Sequence, residues 1–151
     1  MLSKDLARTI KKIQKIDIKN EKEVDGDSTV LQINYNNEDF FIFIKPILDE
    51  EMVINVVNPI SFTMENLKGI ELEMANNFNG KAVGSKCILI DAEKNHYLFC
   101  REEIVRNKDI FNKELVEAKF NSCIKLVIKA VAVFEELITD EEADNEQEEE
   151  Q

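Results

Sequence analysis

The chain predicts an α+β domain, and three observations lead there. Hydrophobic periodicity changes along the sequence in the order helix, three strands, helix, two strands, helix, which gives α-β-β-β-α-β-β-α with five strands. Two pairs of alternating segments are separated by short polar stretches, as hairpins require. The 151 residues, 44% of them hydrophobic, suffice for one core and are too few for two, so residues 1–139 are expected to form a single domain. No catalytic motif stands in this order, and the expectation is a binding module rather than an enzyme.

The first helix is carried by Leu6, Ile10 and Ile13 at i, i+4, i+7, with Ser3 placed to cap it. Its other face is basic, yet one narrow apolar stripe is the mark of a helix lying on its own domain's sheet more than of one lying on a membrane. Asp25-Gly26-Asp27 marks a turn, and from Thr29 the period becomes alternating. With Asn36–Asp39 as the hairpin loop, Tyr35 faces Phe40, Ile33 faces Ile42 and Leu31 faces Ile44, one apolar face. The opposite face carries Val30, Gln32, Asn34, Phe41, Phe43 and Lys45. Two aromatics on a side that alternation assigns to water are either covered by a helix or loop or form a contact surface. Pro46 is expected to end the second strand, and Met52–Val57 reads as a third, broken by Pro59.

Ser61 is placed to cap a second helix, whose Met64, Leu67, Ile70, Met74 and Phe78 follow helical spacing until Gly80 stops it. The second hairpin runs from Ala82 to Asp91 and from His96 to Ile104. A symmetric loop sets Cys87 opposite Cys100, Leu89 opposite Leu98 and Asp91 opposite His96, with Ile88, Ile90, Tyr97 and Phe99 on the other face. Such a pair is apolar on both sides and has to be covered on both, by its own helices or by a second molecule. The last helix, about Asp109 to Ile138, carries two apolar lines roughly 140° apart. One holds Phe111, Leu115, Ala118, Ser122, Leu126, Ala130, Val133 and Leu137; the other holds Phe120, Ile124, Val127, Val131, Phe134 and Ile138. One sheet covers one line. The second, with Phe120, Ile124, Val127, Val131 and Phe134, has to meet the first helix, a second subunit or a partner segment, and because the first helix is short a homodimer or a partner groove is expected.

The net charge of −12 is uneven. Residues 140–151 hold eight acidic residues and no basic one, leaving 23 acidic against 19 basic on residues 1–139. Such a segment has no apolar surface to bury and is expected to be a disordered tail. An acidic body argues against nucleic acid as a ligand. The charged first twenty residues do not form a signal peptide, no run reaches the length of a membrane span, and the expected location is the cytoplasm. Three cysteines there fit reduced thiols. Cys87 and Asp91 stand about 13 Å apart along a strand, too far to share a metal ion. His96 with Asp91 lacks a nucleophile nearby, so neither catalysis nor a cofactor is expected.

Ala75-Asn76-Asn77-Phe78-Asn79 at a helix end, then strands near Ser85 and His96 and a long terminal helix, resembles the YbjN family, which shares its fold with type III secretion chaperones. The resemblance spans residues 1–138 in element order. It implies an antiparallel sheet flanked by helices, a homodimer, no cofactor, and a protein partner or non-globular client segment held by apolar patches and strand addition. Phe41, Phe43, Gln32 and Asn34, with the second line of the last helix, are the candidate contacts. The alternative is an immunity or inhibitor protein whose acidity masks a basic toxin or enzyme.

Overall fold

Helix, hairpin, hairpin, helix, hairpin, helix is the order in which the chain closes its core. The structure, a computed structural model, describes residues 1–62, 69–82 and 84–150. It consists of α1 (Leu2–Lys11), β1 (Asp17–Val24), β2 (Ser28–Tyr35), β3 (Glu38–Leu48), β4 (Glu51–Ser61), α2 (Glu71–Lys81), β5 (Lys86–Asp91), β6 (His96–Arg106), a 3-10 turn at Asn107–Asp109, and α3 (Lys113–Glu150). The strands form one antiparallel sheet in the order β1-β2-β3-β4-β6-β5. The class is α+β as expected, with six strands in place of five.

The additional strand, β1, is an edge strand whose residues are almost all exposed and charged, so it carries no alternation to read. It pairs with β2 and shifts register between Ile18 and Asn20. The turn that follows caps α1. Ser3, expected as the N-cap, lies inside the helix; its backbone N–H donates to Asp27 Oδ1 at 3.2 Å and its hydroxyl to the same oxygen at 2.8 Å. A carboxylate supplied from the β1–β2 turn thus serves the helix's unpaired N–H groups and its positive end.

Hairpin β2–β3 is tighter than expected. Asn36 and Asn37 both hold positive φ, at 52° and 66°, the geometry of a two-residue type I′ turn. Ile33 therefore faces Phe40 and Leu31 faces Ile42. This displaces the expected register by two, which leaves every side chain on its expected face. Neither proline ends a strand. β3 continues to Leu48 through an irregularity after Pro46, and Pro59 stands in β4 opposite Leu98, beyond the point where β3 pairing stops at Phe41 and Val57. Ser61 belongs to β4, and α2 begins at Glu71 after Gly69 at φ 91°. Met64 and Leu67 lie outside the described residues.

All three helices pack on one side of the sheet: α1 on β2 and β3, α2 on β5, α3 on β4 and β6. Their common core holds Leu6, Ile10, Leu31, Ile33, Phe40, Ile42 and Ile54, all fully buried. Phe134 of α3 anchors an aromatic cluster, with ring centroids 4.9 Å from Tyr97, 5.4 Å from Phe99 and 5.9 Å from Phe78. α3 does not end near Ile138. It runs on through Glu150, across the segment expected to be a disordered tail. After Gly84 the sequence has neither glycine nor proline to stop it.

Candidate functional site

With every helix on one side, the other side of the sheet is left without a covering element among the described residues. Registration of the strands assigns its surface row by row. Gln32, Phe41, Val57, Cys100 and Lys86 form one row across β2, β3, β4, β6 and β5. Val30, Phe43, Asn55 and Glu102 form the next, and Lys45, Val53 and Ile104 the one after. Toward the other end stand Pro59, Leu98 and Ile88, with Asn34 and Asp39 paired across β2 and β3.

This face is apolar at its centre and half-exposed. Phe43 is 40% exposed, Ile88 49% and Ile104 45%, whereas Val53 and Val57 between them are buried by their neighbours. Phe41, Phe43, Lys45, Val57, Pro59 and Leu98 line a shallow concavity of about 350 Å³ together with Asn55, Ile88 and Cys100. Asn55 Oδ1 is buried there without a hydrogen-bond partner among the described residues. An unpaired acceptor in an apolar floor is costly alone, and a docked donor relieves it. Charge on the face is mixed, with Lys45 and Lys86 against Asp39 and Glu102 at separate positions.

The expected contacts thus divide in two. Phe41, Phe43, Gln32 and Asn34 all lie on the open face. The α3 line does not: Phe120, Ile124, Val127 and Phe134 are fully buried against the protein's own sheet and helices, and Val131 packs on the same core. That burial overturns their assignment to a partner. The other line reaches the surface only over its first half, with Phe111, Ala118 and Ser122 exposed and Leu115 and Leu126 partly so, while Ala130 is buried and Val133 and Leu137 pack on the core. What distinguishes the lines is bulk, since Phe120 and Phe134 fill the sheet side while Ala118 and Ser122 stand outside.

Leu98, Cys100 and Ile104 lie on the open face through their pairing with β4, and Ile88 joins them because the β5–β6 register differs from the symmetric one by a single residue. Cys87 faces Phe99 and Lys86 faces Cys100; only at Asp91 and His96, past an irregularity after Leu89, does the expected pairing hold. One residue of slip exchanges the faces. Cys87 therefore points into the core and Cys100 away from it, so the cross-strand cysteine pair does not form. All three cysteines are free thiols. Burial pushes Cys87 and Cys123 up to about 12, and burial with Glu102 beside it also raises Cys100. Thiols held protonated in this way are poor nucleophiles.

The edge of the sheet at β5 is closed by a side chain. Asn79, the last residue of the Ala75–Asn79 segment, donates from Nδ2 to the Cys87 carbonyl and accepts the Cys87 N–H at Oδ1, both at 2.8 Å. Its amide does for Cys87 what a neighbouring strand's peptide would do. Phe78 beside it is fully buried against Phe99 and Phe134. Among the described residues no three His, Cys, Asp or Glu side chains are grouped to hold a metal ion, and no helix is long and apolar enough to cross a membrane.

No family model matches the chain, and no curated protein matches it. Among solved structures it is similar to an uncharacterized protein from Methanothermobacter thermautotrophicus, with TM-score 0.56 and 13% identity over 93% of this chain and 98% of that one. The likeness is one of fold.

Proposed function

We propose that this chain is a protein-binding module without chemistry of its own, and that the uncovered face of its sheet is the contact surface. The observation that carries the reading is the continuity of apolar side chains across five strands on a side with no described covering element. Surfaces of that extent mark interaction sites, because water around half-exposed Phe43, Ile88 and Ile104 is released when a partner covers them. The sequence resemblance to the YbjN family and type III secretion chaperones, with its expected homodimer or client segment, supports the same reading. Free, protonated thiols fit a reducing cytoplasm. Mixed charge on the face favours this role over an acidic inhibitor, which needs a field of one sign.

A photo-activated cross-linking residue placed at Phe43 in the full chain, expressed in its host, tests the proposal. We expect protein adducts from position 43 and none from Phe111, an exposed aromatic just before α3. Adducts from Phe111 alone, or from neither, would remove the open face as the contact surface.

A further inference from the structure

Resting on that reading, we propose that the occupant of the open face is a second copy of this chain, stacked sheet against sheet about a two-fold axis that crosses the strands between Phe41 and Phe43. Both edges of the sheet resist strand addition. β1 carries Asp17, Lys19, Glu21, Lys22 and Glu23 and an irregular register, which is how exposed edges avoid pairing. β5 has its Cys87 peptide groups occupied by Asn79. A partner is thereby directed to the face, and a broad apolar sheet face is matched by another one packed about 10 Å away.

Size is consistent with a pair. Six strands about 4.8 Å apart and four same-face rows about 6.8 Å apart give roughly 500 Å² of sheet per copy. Two copies then bury about 1,000 Å² at most, the lower limit of size for a specific interface.

Charge selects the axis. Along β3 the outward residues run Asp39, Phe41, Phe43, Lys45, so opposite signs stand at equal distances from the midpoint of the two phenylalanines. An isologous pair exchanges the two sides of its axis. Rotation about this line sets each Lys45 over the other copy's Asp39 and each Phe41 over the other's Phe43. On β6 and β5, Glu102 lies in the row of Phe43 and Lys86 in the row of Phe41. The same rotation therefore brings each Glu102 to within one strand of the other copy's Lys86. A two-fold parallel to the strands would instead set Lys45 over Val53 or Ile104 and leave both signs unpaired.

Sedimentation equilibrium on the full chain, with variants Lys45→Glu, Asp39→Lys and the double exchange, tests the pairing. The wild type is expected at twice its 17.4 kDa mass. Each single exchange opposes like charges twice across the two-fold and should weaken association roughly tenfold or more. The double exchange restores opposite signs and should return to within about threefold of the wild type. A wild type that stays monomeric at about 1 mM overturns the proposal, since even an interface at the lower limit of size associates there. So does a dimer that ignores both single exchanges, or one that the double exchange does not rescue. A monomer whose position 43 still cross-links to other proteins overturns the second copy alone and leaves the contact surface standing; a monomer without such adducts overturns both.

Discussion

Asn79 shows how much a single amide can do at a sheet edge. It supplies a donor and an acceptor to Cys87, and nothing else on α2 has that geometry. Asn79→Ala should cost about 1–3 kcal/mol, because two peptide groups lose their partners. It should also make the chain associate with rising concentration as the β5 edge opens. Thermal denaturation with light scattering checks both, and an unchanged melting point with no new association would contradict the role. The buried acids give a second residue-scale prediction. Cys87 and Cys123 are raised by burial from the ordinary 9.0 to about 12, and Tyr97 by burial from 10.0 to about 12. Each binds its proton more tightly when folded, so its contribution is complete below the unfolded value and disappears as pH rises through the folded one. The melting temperature should therefore fall as pH climbs from 9 toward 12, and a profile flat through that window would contradict their burial.

At the scale of elements, the legible ones are those whose period survives local irregularity. Leu6 and Ile10 define α1 by spacing, and β2 and β3 show their core face even though the loop between them is two residues shorter than expected. A slip of two preserves faces, and a slip of one does not. For that reason the irregularity after Leu89 hid Ile88 from the open face, while Phe41 and Phe43 were readable. β1 was hidden because a charged edge strand suppresses the alternation by which strands are read. For α3 both apolar lines were legible, but the choice between them depends on which side chains fit against Tyr97 and Phe99. The end of α3 carries a prediction of its own. Ile138 is the last of its described side chains to reach the core. The acidic residues beyond it sit at the negative end of a helix dipole and repel one another. With Ile138 the last described side chain in the core, removing residues 140–151 should leave the melting temperature within about 2 °C. A larger fall by calorimetry would mean that the segment packs on the body.

The molecule as a whole is two layers where its apolar surface calls for three. Helices α1, α2 and α3 satisfy one side of the sheet, and the other displays phenylalanine, valine and isoleucine with no described element over them. The α+β class could be read from periodicity. The one-sidedness could not, because it depends on where three helices settle relative to a sheet that local spacing does not orient. The most direct test is association of the Phe41→Ser/Phe43→Ser double variant, measured against the second copy or whatever protein position 43 captures. Both rings lie outside the helical core, so the account predicts an unchanged fold by circular dichroism and affinity reduced by roughly a hundredfold. Wild-type affinity in a folded double variant would contradict it.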